Sequence, residues 1–126
     1  MTLINIRFFR KVFFVFSALL IFSCKKNQLG GSSTIQGQVA HHSLAIANST
    51  VYIKFNTKEF PGSDIKTYDA NVKTNEKGEF SIKCYKGNYY LYAVGFDKGI
   101  SENVFGGIPI RIRDREVLDV EVAVTE

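Results

Sequence analysis

Residues 74–96 read T-N-E-K-G-E-F-S-I-K-C-Y-K-G-N-Y-Y-L-Y-A-V-G-F. Two turn signals, Glu76-Lys77-Gly78 and Lys86-Gly87-Asn88, bracket a short run of alternating apolar residues and precede a longer aromatic one. Gly78 suits the left-handed conformation that closes a short hairpin loop with a bulge, and Gly87-Asn88 offers two residues tolerant of positive φ. The stretch is read as a strand–turn–strand unit whose inward side chains centre a β core.

The same alternation continues on both sides, with no sustained 3.6-residue period after residue 33. Ile35, Gly37 and Val39 share one face of a first strand. Val51, Ile53 and Phe55 share one face of a second, with Tyr52 and Lys54 opposite. Tyr68, Ala70 and Val72 are expected inward from a third. Phe80, Ile82 and Cys84 follow, then Tyr89, Leu91 and Ala93. Ile110 with Ile112, and Leu118 with Val120, Val122 and Val124, complete the set. The fold class expected is all-β, a seven-stranded antiparallel Greek-key-type sandwich. A last hairpin is expected at Asp114-Arg115-Glu116, setting Arg111 and Arg113 against Asp119 and Glu121 as a register device. Loops are expected over residues 56–65, with Pro61-Gly62, and 97–107, with Gly99 and Gly106-Gly107.

The chain of 126 residues fits one domain, and 45% apolar content is ordinary for a globular protein. Its formal charge of +4 is weighted by Arg7, Arg10 and Lys11 near the start. Setting those three aside leaves 13 basic against 12 acidic residues, about +1. No Lys/Arg block remains, so the balance gives no support to a nucleic-acid partner.

The three cations precede an apolar run, Val12 to Phe22, too short to span a bilayer comfortably. That is the layout of a secretory signal, which would be helical. Leu20-Ile21-Phe22-Ser23-Cys24 resembles the lipobox of bacterial lipoproteins, with a phenylalanine-rich core like those of the Bacteroidetes group. The resemblance implies a signal peptide over 1–23, a lipidated Cys24, and a tether over 24–33, where K-K-N-Q-L-G-G-S-S is polar and Gly/Ser-rich. An uncleaved N-terminal anchor is the alternative, disfavoured by length. A single acyl chain binds membranes only marginally, on the order of 10⁴ M⁻¹, and further chains make the anchoring stable. Surface-exposed lipoproteins of that group often carry acids after the cysteine. Lys25 and Lys26 stand there instead, which points to an outer-membrane, periplasm-facing placement.

Residues 34–126 resemble the carboxypeptidase regulatory-like domain, a transthyretin-like (prealbumin-like) sandwich. The family pattern is roughly G-x-V, a variable strand, T-(D/N)-x-x-G-x-F, then G-x-Y-x-L. Gly37, Val39, Thr74, Asn75, Gly78, Phe80, Gly87, Tyr89 and Leu91 match it. The resemblance implies a non-catalytic module of the cell envelope, in a fold grouped with carbohydrate-binding-like sandwiches. Transthyretin relatives also include a hydrolase of 5-hydroxyisourate, whose C-terminal Y-R-G-S is absent here; this chain ends V-A-V-T-E.

No G-x-S-x-G, P-loop or G-x-G-x-x-G is present. His41-His42 has no Cys, Asp or Glu nearby in sequence, and neighbours on a strand face opposite ways, so a solvated turn is expected and no metal or cofactor. Cys84 shares parity with Phe80 and is expected as a small core residue. Tyr52, Tyr90 and Tyr92 share the parity opposite the core. They form a candidate binding surface if exposed together, or the second buried face of a central strand. The reading reached is a non-enzymatic, membrane-anchored binding or scaffolding lipoprotein. Its contact would be an envelope protein, through β-augmentation at a sheet edge. The other reading is a carbohydrate-binding module using the tyrosine face or the 97–107 loop.

Overall fold

The structure, a computed structural model, describes residues 28–126. The expected signal peptide and its helix, the lipidated Cys24 and most of the tether lie outside the described residues. Eight strands are described: β1 (Leu29–His41), β2 (Leu44–Ala45), β3 (Thr50–Phe55), β4 (Ala70–Lys73), β5 (Glu79–Cys84), β6 (Gly87–Asp97), β7 (Glu102–Ile112) and β8 (Val117–Ala123). A single 3-10 turn, Ile65–Thr67, interrupts the long β3–β4 connection.

The strands form two four-stranded sheets packed as a sandwich. In the first, β1 pairs antiparallel with β5 and β2 and parallel with β8. In the second the order is β4-β3-β6-β7, antiparallel throughout. The chain crosses between sheets from β2 to β3, β4 to β5, β5 to β6 and β7 to β8. The eighth strand, beyond the seven expected, is the two-residue β2.

The core follows the alternation. Ile35, Val39, Val51, Ile53, Tyr89, Leu91, Val104 and Val122 are fully or almost fully buried, joined by Phe80, Ile82, Cys84, Ala93, Ile110, Ile112 and Val124. Ala70, Val72, Leu118, Val120 and Phe55 pack against them from partly covered positions. Burying a side chain of this size contributes roughly 1.5–3 kcal/mol, which is what holds two four-stranded sheets face to face.

Several expectations are corrected by the pairing. The turn at Gly78 does take the left-handed conformation, φ +70. It joins β4 of one sheet to β5 of the other, however, so the two strands are not a hydrogen-bonded hairpin. The expected last hairpin does not form either. Arg111 lies opposite Asn88, while Asp119 lies opposite Gln36 and accepts from its amide at 2.8 Å. The cause is that β8 leaves the second sheet to pair with β1. The segment 97–107, expected as a loop, is mostly β7, and its turn occupies only residues 98–101. Pro109 fits there because β7 is an edge strand, where a missing N–H costs no ladder bond.

The boundary expected at Thr34 is moved as well. Leu29 to Ser33, expected as tether, belongs to β1, with Ser33 fully buried and its hydroxyl donating to Arg113 O at 2.6 Å. Gly30 and Gly31, both at positive φ, carry the bulge that shifts register between Leu29 and Ser33.

Candidate functional site

Two places concentrate chemistry: the outer face of the second sheet and one end of the sandwich.

Along β6 the side chains of Tyr90, Tyr92, Val94 and Phe96 point away from the core by the two-residue period. Tyr52 pairs with Tyr92, and Phe105 with Val94, so both share that face. Residues 56–69 fold over it. Asp64 accepts from Lys66 N at 3.0 Å, Phe55 N donates to Asp69 at 2.8 Å, and Lys54 Nζ donates to Thr67 O at 2.9 Å. This brings Phe60 and Tyr68 onto the sheet. Tyr68 stacks on Tyr92 with centroids 5.6 Å apart and planes 16° from parallel, and stands 6.0 Å from Tyr52. Phe60 lies 5.6 Å from both Tyr90 and Tyr92. Tyr68 therefore does not point into the core as its parity suggested; it stands outside β4, separated from the strand by a bend at Asp69.

The three tyrosines of the candidate surface are thus brought together, and partly roofed. Tyr92 is buried, while Tyr52 and Tyr90 are half-buried. Burial, with the nearby Tyr90 and Tyr92 hydroxyls, pushes Tyr68 up to about 12. Burial raises Tyr90 and Tyr92 too. The open rings on this side are Phe60, Phe96 and Phe105, each about half exposed.

At the end of the sandwich the chain brings together residues far apart in sequence. Because β8 runs parallel to β1, both strands finish at the same end, and the ladder closes at Ala40 opposite Ala123. Val124 N then donates to Ala40 O at 3.0 Å, and Phe105 and Thr125 bridge, which carries Glu126 alongside His41. The end of β6 supplies Asp97 from the other sheet. His41 is only 4% exposed. Its Nδ1 lies 2.8 Å from Asp97 Oδ2, and its Nε2 lies 2.9 Å from Glu126 Oε2. The Glu126 oxygen lies at ion-pair distance, but Nε2 forms no hydrogen bond among the described residues. Asp97 is held below its ordinary value, first by the hydrogen bond from His41 and then by the Gly99 N–H at 2.9 Å. An ionised carboxylate only accepts, so Nδ1 carries the hydrogen there.

The expectation of a solvated His41-His42 turn is corrected for His41, which is buried, while the turn forms and His42 is exposed. His42 and Ser43 adopt positive φ, +48 and +66, as the two central residues of a hairpin turn that sets His41 opposite Leu44. That backward turn lays the His42 ring 4.2 Å from the His41 ring, on the side a continuing strand would have denied it. The usable signal in the sequence was parity. Ile35, Gly37, Val39 and His41 fall on one inward face, which marked His41 as buried.

Cys84 is fully buried, and burial pushes its thiol above the ordinary value, so it sits in the core as the alternation implied. Beside it Tyr89 donates to Tyr85 O at 2.6 Å. A groove between the first sheet and the end of β4, with Gln38, Lys73, Glu79 and Glu121 in its lining, mixes charges of both signs.

No family model matches the chain, and no curated protein matches it. Among solved structures it is similar to the 5-hydroxyisourate hydrolase of Klebsiella pneumoniae, with 15% identity over 79% of this chain and 95% of that one and a TM-score of 0.42. At that identity and score the likeness assigns neither family nor activity, and the two-sheet sandwich rests on the strand pairing itself.

Proposed function

We propose that the protein is a non-enzymatic binding module, held at an envelope membrane by lipid on Cys24, which docks an envelope protein with the outer face of its second sheet. The observation that carries this reading is the aromatic face. Five rings, Tyr52, Phe60, Tyr68, Tyr90 and Tyr92, are linked by contacts across it, and Phe60 with Phe96 and Phe105 on the same face present 55%, 47% and 44% of their surface. Exposed apolar patches of this kind mark interaction surfaces. Burying one such ring contributes roughly 1.5–3 kcal/mol.

The residues behind the carboxypeptidase regulatory-like resemblance support the non-catalytic part. A Cβ on Gly37 would meet Val120 O at 1.9 Å; Thr74 Oγ1 accepts from Ser49 N at 2.8 Å; Asn75 Oδ1 accepts from Lys77 N and Glu79 N. Phe80, Tyr89 and Leu91 are core. Each builds the sandwich, and none offers a nucleophile or base. The carbohydrate reading is weaker, because Tyr92 is only 5% exposed and its ring face is taken by Tyr68.

The test is photo-crosslinking in the native envelope from a probe at Phe105. One discrete protein adduct is expected, lost when Phe60 and Phe96 are both changed to Ser. A ladder of unrelated adducts, or an adduct indifferent to those changes, overturns the docking reading. Cys24→Ala is expected to release the chain from the membrane fraction or leave an unprocessed precursor; an unchanged membrane-bound product of mature size refutes the anchor.

A further inference from the structure

We propose that His41, His42 and Glu126 bind a divalent transition-metal ion of the zinc class, with Asp97 orienting His41. The residues offer two imidazoles and a carboxylate, and their donor atoms all lie within 4.8 Å of one another. Zinc takes nitrogen at about 2.0–2.1 Å and carboxylate oxygen at about 2.0–2.2 Å, so donors on a tetrahedron stand about 3.4 Å apart. No pair of donors exceeds that spacing by more than about 1.4 Å. The parts that must adjust are the exposed side chains of His42 and Glu126, while the buried one, His41, stays put.

The independent observation is the unpartnered Nε2 of His41. A ring nitrogen buried without a hydrogen bond is costly, and native interiors rarely leave one. Here Glu126 Oε2 stands 2.9 Å from it, the His42 ring lies 4.2 Å from its own ring, and the other nitrogen is committed to Asp97 at 2.8 Å. With the hydrogen on Nδ1, a neutral ring holds its lone pair on Nε2, directed at the cluster. That carboxylate–histidine arrangement is how proteins fix the tautomer and raise the basicity of an imidazole ligand. Three protein donors leave the fourth tetrahedral position for water or a ligand. Two imidazoles with one carboxylate favour zinc, copper or nickel over calcium and magnesium, which prefer all-oxygen shells. The inference departs from the sequence expectation of no metal, because sequence neighbours could not disclose a donor 85 positions from His41, at Glu126, or an orienting carboxylate 56 positions away, at Asp97.

The experiment uses the full chain without a polyhistidine tag, extracted in detergent, and titrates Zn²⁺ against a chromophoric chelator. One equivalent per chain is expected. His42→Ala and Glu126→Gln, both at exposed side chains, should each weaken binding at least tenfold while leaving metal-free thermal unfolding nearly unchanged. Asp97→Asn should keep the stoichiometry, weaken binding by about 10–100-fold, and alter the visible spectrum of the Co²⁺ form, a readout that a merely structural role would not move. Less than one equivalent retained by the parent overturns the proposal. So does equal binding by the parent, His42→Ala and Glu126→Gln, or a preference for Ca²⁺ or Mg²⁺ over Zn²⁺.

Discussion

Tyr68 lies almost flat on Tyr92, ring centroids 5.6 Å apart, with its hydroxyl donating to Gly62 O at 2.8 Å. One ring comes from a connection and the other from a central strand, so the contact fastens residues 56–69 to the second sheet. Desolvation, the largest cause, raises Tyr68 to about 12 from its usual 10.0. Burial pushes Tyr89 up further still. A tyrosine whose folded pKa exceeds its unfolded one contributes stability that is whole below pH 10 and is lost as pH climbs toward 12. Absorbance titration of the phenolates should therefore show Tyr68 ionising late, with global stability falling over pH 10–12. Tyr68→Phe should remove one late-titrating group. A titration in which all six tyrosines ionise together near pH 10, with the fold intact, contradicts the stacked arrangement.

Phe80 and Lys83 test the strand phase. Phe80 is 6% exposed on β5, and Lys83, one step out of phase, is exposed. Truncating a buried Phe typically costs about 3–5 kcal/mol, a large part of the roughly 5–15 kcal/mol that holds such a domain together. Phe80→Ala should depress the melting temperature severely or prevent folding. Lys83→Ala should stay within about 0.5 kcal/mol of the parent. Thermal unfolding of the pair decides it, and a costlier Lys83→Ala would invert the inside and outside of the sheet.

What alternation conveys, and what it leaves open, follows from these residues. A period of two records only that one side of a strand is dry, so Phe80, Ile82, Tyr89 and Leu91 could be placed inward directly. It says nothing about which strand supplies the ladder. A tight turn between two inward-facing strands reads the same whether they pair or cross the sandwich, which is why Gly78 was legible as a turn but not as a crossing. The parallel β1–β8 pairing, and with it the meeting of Glu126 and His41, is a long-range event with no local mark. Tyr68 was misplaced for a local reason: a bend at Asp69 separates it from β4, so the strand's period does not reach it.

Gly37 marks where β8 comes against β1. A Cβ there would sit 1.9 Å from Val120 O, a backbone atom that cannot swing aside. Gly37→Ala should force β8 outward and destabilise by about 1–3 kcal/mol, the usual cost of overpacking. Ser81→Ala, on the exposed face of neighbouring β5, should change stability by no more than about 0.5 kcal/mol. Chemical denaturation of both variants measures the difference. Equal stability would mean that the two strands lie farther apart than the ladder Gly37 opposite Val120 requires.

The His42-Ser43 turn carries strain that can be relieved without touching a ring. Ser43 holds φ +66, a conformation costing an L-residue roughly 1–2 kcal/mol that glycine adopts freely. Part of that gain is offset by the greater freedom of glycine in the unfolded chain, so Ser43→Gly should stabilise by about 0.5–1 kcal/mol. For a domain of this size that is a rise of a few degrees in melting temperature. Ser43→Pro should do the reverse, because the ring fixes φ near −65° and forbids the turn. His42 would then swing away from His41, and the pairing of His41 with Leu44 would be lost. Thermal unfolding of both variants gives the sign directly. Stabilisation by proline, or loss of stability with glycine, would show that residues 42–43 do not make the backward turn that lays the two imidazoles side by side.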